Sequence, residues 1–266
     1  NNRFYSNTIN GGNYGIVLRG FAASSPFTLA DTNNDVGGIA LATGNTILNY
    51  GGAAAATNPS AAIRIVDQWA ANVSFNTINN NNGSGVNHVS TLRGIITSGG
   101  TSASLNINNN GITLFGGGTT SQLDGISNGA GSTAAGNSIN INNNTLVLNY
   151  ASATGATING IVNSSSAATV NINGNNISAG SIIPGTGTHI LISGGSPVNL
   201  NISGNTINNF SRSSATTGTL RGIVITSPTT TVINNNTISN LSYTNAASTG
   251  IIEGIYCLSS SIDVTI

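Results

Sequence analysis

An asparagine followed by a small residue and then an aliphatic one returns eight times along this chain, at Asn7, Asn45, Asn76, Asn110, Asn144, Asn175, Asn205 and Asn236. The spacings of 38, 31, 34, 34, 31, 30 and 31 residues fall in the range where self-similarity marks a solenoid. The units of such an array cannot bury a core alone and do so by stacking on their neighbours. The chain therefore reads as one stacked object over residues 1–266, and not as several domains.

A second landmark keeps the same period. A small residue, usually Gly, followed by an aliphatic opens a short run at Ile16, Ile39, Ile63, Ile95, Ile126, Ile161, Ile190, Ile223 and Ile255. A third run alternates apolar and polar residues, as in Leu105 and Ile107, Ile139 and Ile141, Val170 and Ile172, and Leu200 and Ile202. Period 2, short length and bounding clusters of Asn, Gly, Ser and Thr are strand and turn signals, with no helical stretch between them. Three short strands per coil of roughly 30 to 38 residues predict an all-β fold: a right-handed parallel β-helix of about eight to nine coils. The residues resemble the right-handed parallel β-helix repeat proteins of bacteria, large secreted or cell-surface proteins rich in Asn-Thr-Ile and Gly-Ile coils. The resemblance implies that fold along the whole chain and an extracellular or cell-surface location. It leaves function open, because one fold carries many sites.

The repeated Asn has two physical uses. It tolerates the left-handed backbone of a tight corner, and in stacked coils its amide can bond the amides above and below as a ladder. Outward parity in the Gly-Ile strand places Val17, Ile96, Val162, Leu191, Val224 and Tyr256 on one apolar stripe, the candidate interface, to be covered by loops of the chain or by a neighbour. The strand before the Asn corner instead turns Ser74, Asn106, Asn140, Asn171 and Asn201 outward as a polar flank. Arg93 and Asp124, like Arg221 and Glu253, fall one coil apart at equivalent positions and are expected to pair between rungs. Cys257, in phase with Ile255, is expected to be a buried thiol.

Charge narrows the function classes. Six Arg, five Asp, one Glu and no Lys sum to a formal charge of zero. That is no basis for binding nucleic acid, which requires a basic face, and no apolar run is long enough to span a bilayer. A polysaccharide lyase needs a base and gathered acids, and a glycosidase needs two carboxyls across one bond; here the acids are scattered, so no enzymatic activity is expected. One local motif stands apart. In Asp31-Thr32-Asn33-Asn34-Asp35-Val36-Gly37 the oxygens of Asp31, Asn33 and Asp35 repeat the opening of a calcium loop, although Val36 stands where Gly belongs and Ala42 where a Glu belongs. Calcium is thus the one cofactor these residues suggest.

The leading expectation is a structural protein, a repeat segment or subunit of an extracellular fibre. The chain opens and closes inside a coil, so its partner is expected to be itself, head to tail and also laterally. The alternative is an adhesive or carbohydrate-binding module with glycans as partner.

Overall fold

A computed structural model describes residues 1–51, 59–83, 88–118, 120–150, 155–180, 185–258 and 263–265. The chain winds into a parallel β-helix of three sheets, with nine, eight and eight strands, and only one short 3-10 helix, Leu41–Thr43, among the described residues. About seven complete turns are formed, each contributing one strand to every sheet. One coil shows the pattern: Ser104–Asn108 in the polar-faced sheet, the corner at Asn110, Gly111–Gly116 in the corner sheet, and Leu123–Ala130 in the Gly-Ile sheet.

Stacking is in register. Leu105 lies over Ile139 and Ile107 over Ile141, Ile112 over Leu146, and Ile126 over Ile161. The inward residues Ile107, Ile141, Ile172 and Ile202, with Leu146, Ile177 and Ile207, are fully buried. Each contributes about 1.5–3 kcal/mol by leaving water. Because every coil presents the same aliphatic face up and down, identical spacing along the sequence becomes a continuous interior.

Three sequence expectations about this frame are corrected. The left-handed corner residue is not the repeated Asn but, at every corner except that of Asn45, the residue before it: Ser6, Phe75, Asn109, Asn143, Gly174, Gly204 and Asn235 have φ between 54° and 65°, whereas Gly44 has φ −62°. That kink turns the following Asn inward, so the repeated Asn is free to serve the interior. Ile39 is no rung: it is 87% exposed in the excursion beside the 3-10 helix, and Ile16 stacks directly on Ile63. Ile192, not Ile190, lies over Ile161 and Ile223, so the run His189–Ser193 sits two residues off the spacing read from its sequence. Among the described residues no helix is long and apolar enough to cross a membrane.

Candidate functional site

The inner amide ladder is complete from end to end. The side-chain Nδ2 of Asn7 donates to Oδ1 of Asn45 at 2.9 Å, and the same bond links Asn45 to Asn76, Asn76 to Asn110, Asn110 to Asn144, Asn144 to Asn175, Asn175 to Asn205 and Asn205 to Asn236, at 2.9–3.0 Å. Each backbone N–H joins the same Oδ1, as Asn144 does to Asn175. From Asn45 onward, each Nδ2 also reaches a carbonyl of the preceding coil, as Asn144 reaches Ile107. The six Asn from Asn45 to Asn205 are about 1% exposed. Burial without loss of partners is what makes these amides stabilising.

Two further rows stack beside it, one that sequence reasoning missed and one on the polar flank expected from the sequence. Thr97, Asn128 and Asn163 form a buried one in the Gly-Ile sheet, with Thr97 Oγ1 donating to Asn128, Asn128 Nδ2 to Asn163 at 2.7 Å, and Asn163 Nδ2 to the Gly194 carbonyl at 2.9 Å. Outside the polar-faced sheet, Asn140 donates to Asn106, Asn171 to Asn140 and Asn201 to Asn171 at 2.8–2.9 Å. Within this row Asn140 and Asn171 each donate one N–H and accept one, which leaves one N–H and one lone pair for solvent or a ligand. Ser74 is an exception on this flank: it is buried and donates to Asn72.

At the N-terminal end of that outer row lies a cleft of about 380 Å³, lined by Asn33, Asn34, Asp35, Ala70, Asn72, Ser104, Asn106, Ser138 and Asn140 among others. Its wall is a bulge. The register of Asp31–Val36 against Gln68–Ser74 shifts between Thr32 and Asp35, and Asn33 takes φ 58°. Its floor is low where Ala70 stands in the row that elsewhere carries Ser104 and Ser138.

Each residue of the suggested calcium loop has a partner within the chain. Asp31 Oδ2 accepts from the backbone N–H of Phe21 at 2.8 Å. Asp35 accepts from Tyr5 Oη, from the backbone N–H of Gly38 and from Asn72 Nδ2, and the hydrogen bond to Asp35 is the main reason the Tyr5 phenol is pushed up. Asn33 is exposed and turned to Thr32. Among the described residues no group of three or more His, Cys, Asp or Glu gathers.

The apolar stripe is not continuous. The outward row of the Gly-Ile sheet runs Val17, Arg64, Ile96, Ser127, Val162, Ser193, Val224, Tyr256. Leu191 leaves it, because the two-residue offset at Ile192 swings Leu191 fully into the core. Val17 is 49% exposed and Val224 only 5%, while Ile96, Val162 and Tyr256 are half-buried. Of the three loops expected to cover the row, residues 48–61, 149–158 and 242–250, the stretches 52–58 and 151–154 lie outside the described residues.

Both inter-rung ion pairs form. Arg93 Nε meets Asp124 at 2.9 Å and Arg221 meets Glu253, with the Arg221 guanidinium 3.9 Å above the Tyr256 ring. Asp124 is buried, not solvated, and also accepts from Gln122 and Asn159. Cys257 is exposed, not buried, although it stacks on the buried Ile225. Its position points inward, but it lies on the last rung of its sheet.

Sequence reasoning missed three buried groups. His88 has neither ring nitrogen paired, His189 lacks a partner at Nδ1, and Arg212 lacks one at Nε and Nη1. Arg212 Nη2 alone bonds, to the Gly185 carbonyl and Thr216 Oγ1. Burial, reinforced by Arg212, lowers the His189 pKa to about 3, so its imidazole is neutral. Nothing in Ser211-Arg212-Ser213 distinguishes this arginine from a surface one. Set beside protein-family models, curated proteins and solved structures, the chain matches none.

Proposed function

We propose that this chain is a structural rod, a segment of an extracellular or cell-surface fibre that transmits length and stiffness and turns over no substrate. The observation that carries the reading is the commitment of its polar groups. Eight asparagines spend their amides on coil-to-coil bonds, and the carboxylates of Asp31, Asp35, Asp124 and Glu253 are each held by donors of the chain itself. Acids so occupied are poorly placed for general acid or base work. The extracellular placement follows from the resemblance of the coils to secreted β-helix repeats. Electron microscopy of the purified chain tests the reading: rods that lengthen into filaments with concentration are expected, and isolated particles at every concentration would overturn it.

The cleft beside Asp35 favours a second reading, an adhesive module for a neutral glycan. Beside Ala70, Ala71 and Leu105 its polar lining is amide and hydroxyl, with the one carboxylate already hydrogen-bonded, which suits a ligand rich in hydroxyls and poor in charge. Titration with neutral oligosaccharides followed by amide NMR checks it, with shifts expected at Asn72, Asn106 and Asn140. Shifts spread evenly over the chain would count against it.

A further inference from the structure

The chain contains six Asn-Gly bonds: Asn10-Gly11, Asn82-Gly83, Asn110-Gly111, Asn128-Gly129, Asn159-Gly160 and Asn173-Gly174. Asparagine is a thermolabile residue, and it is most labile before glycine. There the next backbone nitrogen can close a five-membered ring on the side-chain amide, because no Cβ stands in its way and the backbone turns freely. In sequence the six bonds are equivalent.

Stacking closes five of them. Asn110 Oδ1 accepts from Asn76 N–H and Nδ2, and its own Nδ2 is held by the Val73 carbonyl and by Asn144. Gly111 N–H, the nitrogen that would attack, donates to the Asn76 carbonyl at 2.9 Å. Asn128 and Asn159 are buried inside strands of the Gly-Ile sheet, with Nδ2 bonded to Asn163 and to Asp124. At Asn173 the side-chain Oδ1 accepts from Ser203 N–H at 3.0 Å, and Gly174 N–H donates to the Ser203 carbonyl at 2.9 Å. Even the exposed Asn10 has its Oδ1 bonded by Asn49 Nδ2, while Gly11 N–H donates to the Leu48 carbonyl. None of these five amides can swing onto the following nitrogen without breaking bonds to a neighbouring coil, which opposes the ring closure.

Asn82 differs on each count. It stands exposed in the turn after Thr77–Asn79 and is held by its backbone, whose N–H donates to Asn49 Oδ1 at 2.7 Å. Among the described residues its side-chain amide has no partner and Gly83 N–H has no acceptor. Gly83 is exposed as well, at φ 75°, and even an added Cβ would meet nothing within 4 Å. Electrophile, nucleophile and room to move coincide at this bond.

We propose that Asn82-Gly83 is a site of spontaneous modification, where asparagine is converted to aspartate and isoaspartate with water as the co-reactant. Gly83 N forms a bond to Asn82 Cγ, the Cγ–Nδ2 bond breaks, and ammonia leaves with the proton that Gly83 N gives up. The cyclic imide then takes up one water. Opening at Cγ gives aspartate, and opening at the main-chain carbonyl gives isoaspartate, with the chain continuing through Cγ. Nothing is oxidised or reduced. A chain of zero formal charge gains one carboxylate on the outside of the coil that begins at Asn76.

The test ages the whole chain at mildly alkaline pH, folded and in denaturant in parallel, and follows each Asn-Gly peptide by mass spectrometry for the gain in mass from amide to acid. In denaturant the six are expected to convert at similar rates. In the folded chain Asn82 should convert at least about tenfold faster than any of the other five, the factor that two lost hydrogen bonds would supply. Folded wild type should also acquire a more acidic form on anion exchange, and Asn82→Gln should not over the same interval. Conversion at Asn10 or Asn173 as fast as at Asn82 would overturn the proposal, as would an Asn82 that stays intact when folded and converts when unfolded.

Discussion

The corner that carries the inner ladder and the margin of the Gly-Ile sheet around His189 and Arg212 both bury polar side chains, and they treat them in opposite ways. At the corner each buried amide finds partners in the coils before and after it, because the same residue stands at the same place in every turn. At the margin Arg212 and His189 occur once each, and atoms of both are buried without a partner. Repetition satisfies a polar interior at no cost in design; a residue that is not repeated must find its partner in irregular chain.

Breaking the ladder should have the largest effect. Asn144→Leu removes the acceptor of Asn110 N–H and Nδ2 and the donor to the Ile107 carbonyl, leaving several buried groups unpaired. At about 1–3 kcal/mol for such a group, a loss of about 4 kcal/mol is expected in a denaturant melt. A change below about 1 kcal/mol would erase the distinction between corner and margin.

The margin should announce itself through pH. His189 titrates at about 3 in the folded chain and at about 6.5 when unfolded, so the unfolded state binds the extra proton in between. Stability from the neutral ring is therefore full above pH 6.5 and falls as the pH drops toward 3. Between pH 7 and 5 the loss is about 2 kcal/mol, and His189→Leu should flatten that slope. A slope unchanged in the variant would place the titration elsewhere.

Arg212→Met gives the smallest shift and the sharpest contrast. Replacing a buried cation that has one bonded nitrogen by an apolar chain of similar length should be neutral or stabilising by about 1 kcal/mol. A loss of several kcal/mol in the melt would mean that Arg212 is held as well as the ladder is.

The corner was readable and the margin was not for the same reason. Asn-Thr-Ile repeats at a period the eye can align, and alignment in sequence is alignment in space once coils stack. Ile39 misled because a Gly-Ile pair in an excursion looks the same on paper as one on a rung; Ile190 misled because it stands on a rung, in His189–Ser193, whose register puts Ile192 over Ile161 and Ile223. The left-handed corner was placed one residue late, since Ser6, Phe75, Asn109 and Gly174 share a backbone angle and no side-chain type. The cleft beside Asp35 depends on a bulge and on Ala70 in a row that elsewhere carries Thr32, Ser104, Ser138, Thr169 and Asn199, differences visible only when coils lie side by side.

The rows of amide bonds run along the rod and not across it. Tension applied between the two ends is then borne by coil interfaces in series, each contacting only its neighbours, so the weakest interface yields alone while the others keep their shape. Each coil of about 30 residues peeled in this way frees roughly 100 Å of chain. A pulled rod should therefore lengthen in steps of roughly 100–130 Å, with the sequence period written as distance.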